Sequence, residues 1–265
     1  MKRSIAVTMT LVLFAALALR LGVVAAIPNF FSAADPSYYY AAARGCVRYG
    51  VPRIDFIWHF ATSPPEIAHL EDYCEPAVAY LLAVPMALLG GGVIAAKLLS
   101  VVCGTLAVFL VYLFGRRFGH TVAILAAALV AFEPWSIYYG GLIMKEAAVS
   151  VVVLLFFVGA RRLFDSAQTA RSLGLGLGLL TVTAGLFQYE LLPILATATT
   201  VTLWIHQRRL VWPYLVGTTA AGLVLLAITW AGMGVPISAK LYFFTGRDFW
   251  DALPTATSPD PAGLA

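Results

Sequence analysis

Long apolar blocks recur along this chain, at about 5–26, 76–90, 94–115, 120–133, 147–160, 172–187, 190–206 and 211–231, and they leave few folds open to it. Inside each block nearly every position is apolar, so no stripe separates a core face from a wet face. A helix needs about 20 such residues to cross the hydrocarbon core of a bilayer, and the longest blocks reach that length. A soluble bundle built from them could not cover itself with polar residues. Of the 265 residues, 61% are hydrophobic and 11% charged, against roughly 45–50% and about 25% in soluble domains. The sequence predicts an all-α polytopic membrane protein.

The net charge is +4 and the pI near 9.0, but the placement of the charges says more than their sum. Short cytoplasmic loops are enriched in Lys and Arg. Nine of the 17 basic residues fall at Lys2, Arg3, Arg116, Arg117, Arg161, Arg162, Arg171, Arg208 and Arg209, and only one acid, Asp165, shares those segments. The stretch 27–75 is the reverse, with Asp35, Asp55, Glu66, Glu71, Asp72 and Glu75 against Arg44, Arg48 and Arg53. A cytoplasmic N-terminus and an external loop follow. Basic residues confined to short loops make a membrane topology, not a nucleic-acid surface. The N-terminal block is too long for a signal peptide and lacks a clear cleavage site, so it reads as a retained span.

This topology tests the block at 76–90. If it crossed the membrane, Arg116 and Arg117 would face outward while the two later Arg clusters faced inward. It is also short, holds Pro76 and Pro85, and ends in Gly90-Gly91-Gly92. It therefore reads as a helix of the external loop, lying in or dipping into the interface. Seven spans remain within 1–231, with a first external loop at 27–93. The polar tail at 232–265 is external and has a composition that favours disorder. Three polar groups then meet on the outer surface: the loop ends at Asp35 and Glu75, the Glu133–Glu146 connection, and Gln188-Tyr189-Glu190. Ionisable groups near membrane depth tend to mark functional cavities.

Other residues have simpler readings. His59 and His69 lack metal-ligand spacing. Cys46 and Cys74 share the external loop, where a disulfide is open to them, and Cys103 sits in a span as packing. Trp58, Trp135, Tyr138 and Trp212 suit interfacial anchors. Gly174, Gly176 and Gly178 suit close helix packing. Arg20, near the outer end of the first span, suits a side chain snorkelling to the headgroups.

The order of motifs resembles the C-superfamily (GT-C) glycosyltransferases, membrane enzymes that take a sugar from a polyprenyl-phosphate carrier. Ala34-Asp35-Pro36-Ser37-Tyr38-Tyr39-Tyr40, running on to Arg44, is similar to their first-loop acid motif. Tyr73-Cys74-Glu75-Pro76 followed by Ala79-Tyr80-Leu81 resembles their loop helix. Lys97-Leu98-Leu99-Ser100 through Arg116-Arg117 resembles the second span with its basic stop. Pro134-Trp135-Ser136-Ile137-Tyr138-Tyr139 with Lys145-Glu146-Ala147 resembles the next external segment and its acid. The likeness covers about 1–210 and lies nearest the branch of protein O-mannosyltransferases and the lipid A aminoarabinose transferase. The chain departs from that pattern at Pro36-Ser37-Tyr38 and at Gln188-Tyr189-Glu190, where relatives often carry charged residues. It is also short for that family, so a fragment or a reliance on a partner is expected.

The resemblance implies an inverting transferase working on the outer face of the cytoplasmic membrane of a bacterium or archaeon. Its partners would be a lipid-linked sugar donor, membrane lipids, and an acceptor hydroxyl on a protein, lipid or glycan. Asp35 is the implied base, because a carboxylate at the water–membrane boundary can be raised toward the working pH by partial burial. Glu146 and Glu75 are implied to stabilise an oxocarbenium-like sugar or to position the acceptor or a divalent ion; no cofactor is otherwise implied. Tyr38, Tyr39, Arg44, Lys145, Gln188 and Tyr189 are candidates for substrate binding, with Lys145, Arg44 and Arg20 candidates for the leaving phosphate. No Walker, Rossmann or zinc pattern occurs to hold a soluble nucleotide-sugar. The rival readings are a lipid or solute transporter, which would want mid-membrane acids and inverted repeats, and a truncated non-catalytic subunit.

Overall fold

The computed structural model describes residues 2–28, 34–54, 69–70, 76–165 and 170–233, with the backbone alone at 2–3, 34–35, 69–70, 163–165, 170 and 228–233. Within them the chain forms α1 (Lys2–Ala26), α2 (Ala34–Tyr49), α3 (Pro76–Leu89), α4 (Val93–Gly115), α5 (His120–Phe132), α6 (Pro134–Gly140), α7 (Lys145–Asp165), α8 (Ala170–Phe187), α9 (Leu191–His206) and α10 (Val211–Met233). The strands β1 (Arg53–Ile54) and β2 (His69–Leu70) make one short antiparallel pair. Each apolar block of the sequence is a helix, with ends that differ by a few residues. Glu75, Cys74, Trp58, His59 and the tail beyond 233 lie outside the described residues.

By length and composition, Ser4–Ala26, Val93–Phe118 and Arg208–Ala227 can each cross a bilayer, and the bent pair α5–α6 makes a fourth if taken as one span. The outer surface of the bundle is apolar. Phe14, Leu129 and Trp212 are 69%, 74% and 74% exposed, which fits lipid as the solvent.

Turns are set by residues that can take the required backbone. Gly119, at φ 104°, reverses the chain between the Arg116–Phe118 turn and α5. Gly90 and Gly91, at φ 90° and 78°, end α3 in the left-handed region that side chains disfavour. The Tyr40 hydroxyl donates to the Gly91 carbonyl at 2.9 Å and ties α2 to that end. Gly45 lets β1 lie directly on α2, since a Cβ there would stand 2.2 Å from the Arg53 carbonyl oxygen.

Contacts fix the relative directions of the helices. Lys97 Nζ donates to the Ile27 carbonyl, while further along α4 Gly104 meets Arg20; α1 and α4 are antiparallel. Along α4 and α7, Cys103 and Ala148 line one small cavity, and the Phe114 and Phe157 rings meet at 6.2 Å. Arg161 Nη1 donates to the Leu113 and Phe114 carbonyls, each at 3.3 Å. These two helices are parallel, so α5 and α6 supply the return. Gly174 packs on Pro213 and Gly178 on Thr218, which makes α8 and α10 parallel with α9 as the return. One end of the bundle therefore gathers the chain at Lys2-Arg3, Arg116-Arg117, Arg161-Arg162, Arg171 and Arg208-Arg209. The opposite end holds the C-terminus of α1, the start of α4, α6, Lys145-Glu146 and the α8–α9 turn. The first half of α3 also packs there, with Val78, Leu81 and Leu82 beside Leu99, Ser100, Met144 and Ala148.

The glycine run divides by helical phase. Gly174 and Gly178, one turn apart, face α10, whereas a Cβ on Gly176 would meet nothing within 4 Å. Cys46 is a free, buried thiol on α2, and Cys74, the other half of the bridge open to it in the sequence, lies outside the described residues. Cys103 is buried in α4 as expected.

Candidate active-site cavity

The short helix α6 owes its start to Glu133, whose carboxylate accepts from the Trp135 N–H at 3.0 Å and from the Ser136 N–H. Pro134 follows at the first helical position, where its missing N–H costs nothing. This capped restart bends the chain by 61° from α5 and turns α6 across the end of the bundle. α5 and α7 both pack on α4 and leave a cavity of about 470 Å³ between them. Its depth is apolar, from Ala107, Val111, Val130, Val153 and Leu154, and Glu133, Ser136, Glu146 and Ser150 supply its polar groups.

Trp135 and Tyr139 line the same cavity. Their rings stack at 5.8 Å and 22°, and Tyr138 meets both, at 6.2 Å from Trp135 and 5.5 Å from Tyr139. Interfacial anchoring explains why aromatic residues stand at this depth, and the cavity adds a flat surface on which a sugar ring or an isoprenoid chain can lie.

Arg20 resolves differently from its snorkelling reading. Its side chain is wholly buried, because Gly104 and Gly140 open room for it; a Cβ on either would stand 2.6 or 2.7 Å from its Nε. Nη1 donates to the Ala16 carbonyl at 3.0 Å and Nη2 to Ser136 Oγ at 2.8 Å. The Glu133 carboxylate acts on it at a distance through its field.

The other candidates are spread around this end. Glu146 is exposed in the first turn of α7 and lines the cavity. Lys145, half-buried, precedes it. Asp35 lies in the first turn of α2 on the backbone, and its side chain and all of Glu75 are outside the described residues. Tyr38 and Tyr39 are buried in the main core as an edge-to-face pair at 5.9 Å, a packing position. Arg44 lines a separate small groove with Arg48 and Arg53. Gln188 and Tyr189 are half-buried in the α8–α9 turn and do not line the large cavity. Among the described residues no three His, Cys, Asp or Glu side chains gather to hold a metal ion.

Two contributors were named in the sequence without a role, Glu133 as one end of an external connection and Ser136 within a motif. Glu133 carried a legible signal, an acid directly before Pro at a helix start. Ser136 carried none, since its importance comes from Arg20 on another helix.

A family model described as dolichyl-phosphate-mannose-protein mannosyltransferase matches residues 74–246, well over half of the chain. The matched range takes in α3 through α10 and the cavity, and begins after Asp35. Neither curated proteins nor solved structures give a match. The cavity with its carboxylates, the apolar bundle and the matched range agree, and the chain belongs to the dolichyl-phosphate-mannose-protein mannosyltransferase family, as a membrane glycosyltransferase of the GT-C type.

Proposed function

We propose that the protein moves a sugar from a polyprenyl-phosphate carrier to an acceptor hydroxyl at the outer face of a bacterial or archaeal cytoplasmic membrane. The observation that carries this reading is the polarity of the bundle. Its basic clusters collect at one end, and the cavity with Glu133 and Glu146 opens near the other. By the preference of Lys and Arg for the cytoplasmic side, the cavity end is external. The antiparallel α1 and α4 support a first loop, 27–93, with no net crossing, because a single pass of α3 would make them parallel. Seven spans follow: α1, α4, the α5–α6 pair, α7, α8, α9 and α10. Residues 1–231 then form one module with an external tail.

In the proposed reaction the Asp35 carboxylate takes the proton of the acceptor hydroxyl. The acceptor oxygen bonds to the anomeric carbon from the face opposite the leaving group. The anomeric C–O bond to phosphate breaks, its electron pair leaves with the lipid phosphate, and the configuration inverts. Glu146 at the cavity stabilises positive charge on the ring. The matched family, dolichyl-phosphate-mannose-protein mannosyltransferase, supports a lipid-phosphate sugar as donor and a protein as acceptor, and the apolar depth of the cavity fits an isoprenoid chain.

The test is transfer of label from a polyprenyl-phosphate sugar by membranes carrying the protein. Wild type should transfer, and Asp35→Asn should lose 10²-fold or more, in line with removal of a general base. Equal transfer by both forms would remove Asp35 from the chemistry; uptake without transfer would favour a transporter.

A further inference from the structure

Arg20 is a wholly buried cation for which no carboxylate supplies an ion pair among the described residues. Such a charge is costly to bury, and its Nε has no hydrogen-bond partner there. Three of the residues that enclose it, Gly104, Ser136 and Gly140, also line the large cavity. The guanidinium thus stands directly behind the cavity wall. Ser136 Oγ accepts from Nη2, so its own O–H is left to donate toward the cavity and is polarised by the charge behind it. The Glu133 carboxylate offsets part of this field at a distance and makes no direct contact with the guanidinium. Both of its oxygens are engaged by N–H groups of α6. Glu146 lies across the cavity on α7.

We propose that Arg20, acting through Ser136, is the positioning cation for the phosphate of the lipid-linked donor, with the anion held at the α6 wall and the isoprenoid chain along the apolar depth between α5 and α7. The proposal rests on the transferase reading above and assigns a residue to its leaving group. Preorganised positive charge at a departing phosphate acts without reorganisation at the moment of reaction. A glycine at 104 and another at 140 are required because any side chain there would push the guanidinium from its seat.

Binding to the detergent-solubilised full chain distinguishes a phosphate site from a structural tie. The probes are undecaprenyl phosphate, undecaprenol and inorganic phosphate. Wild type should prefer the lipid phosphate over the alcohol, and inorganic phosphate should compete weakly. Arg20→Lys, Ser136→Ala and Gly104→Ala should each cut affinity for undecaprenyl phosphate about tenfold, the size of one lost charge-assisted hydrogen bond. Their affinity for undecaprenol should not change. Ser136→Ala leaves the α6 cap intact, because Glu133 binds the backbone of that residue. An unchanged phosphate-over-alcohol preference in Ser136→Ala and Arg20→Lys, with wild type active in transfer, would overturn this assignment alone. Competition by inorganic phosphate as strong as by the lipid phosphate would overturn its assignment to a lipid headgroup. A wild type that neither transfers sugar nor binds undecaprenyl phosphate would instead remove the transferase reading.

Discussion

Replacing Gly178 by Ala should loosen the α8–α10 pair, while the same change two residues earlier should not. A Cβ at 178 would stand 2.5 Å from the Thr218 backbone nitrogen and 2.6 Å from the Tyr214 carbonyl oxygen, both parts of the α10 main chain. No side chain can rotate away to make room. Ordinary contact begins near 3.4 Å, so α10 would have to retreat by about 0.9 Å (3.4 minus 2.5). Overpacking of this kind costs about 1–3 kcal/mol. The retreat would also stretch the buried Thr181–Tyr214 hydroxyl pair, now at 3.0 Å, which adds about 1 kcal/mol. The gain in helix propensity from Gly to Ala returns about 1 kcal/mol. The net loss expected is about 1–3 kcal/mol. Gly176→Ala meets nothing within 4 Å and should be neutral or slightly stabilising. Reversible unfolding in mixed detergent micelles, followed by far-ultraviolet circular dichroism, measures both. Equal losses at 176 and 178, or wild-type stability in Gly178→Ala, would refute the reasoning.

Two further outcomes follow from the local chemistry. Burial pushes the Cys46 thiol up from 9.0 to about 12, against a smaller lowering by a backbone hydrogen bond, so it should resist maleimide at pH 8. Its folded value lies above the unfolded one, so its contribution to stability is constant below the unfolded value of 9.0. It then falls as pH rises toward 12. The difference in unfolding midpoint between wild type and Cys46→Ala should narrow or reverse over that window, and a constant difference would contradict the shift. Glu133→Ala removes the cap of α6 and should cost about 1 kcal/mol locally. Faster amide exchange at Trp135 and Ser136 is the expected reading, and unchanged exchange there would contradict the capping role.

The sequence carried the helices well because lipid imposes long apolar runs that need no tertiary context. The helix at 76–89 was legible from its apolar run, and its end from the glycines that follow it. Side-chain destinations were less so. Whether Arg20 snorkels or is buried depends on Gly104 and Gly140 arriving from two other helices, which no local pattern reveals. Tyr38 and Tyr39 are candidates for substrate binding by their place in a motif, and their burial in the main core is not visible from that motif. The glycine run looked uniform until helical phase separated Gly176 from its neighbours. The cavity itself arises from a break at Glu133-Pro134 that a count of apolar residues passes over.

The orientation of the cavity is tested most directly by thiol accessibility in intact cells. Single cysteines at Glu146 and at Arg116, both exposed positions, would be introduced into a background lacking the native three and treated with a membrane-impermeant maleimide. Glu146→Cys should react in intact cells, and Arg116→Cys only after the membrane is opened. Labelling of Arg116→Cys from outside, or protection of Glu146→Cys until permeabilisation, would contradict an outward-facing sugar-transfer site.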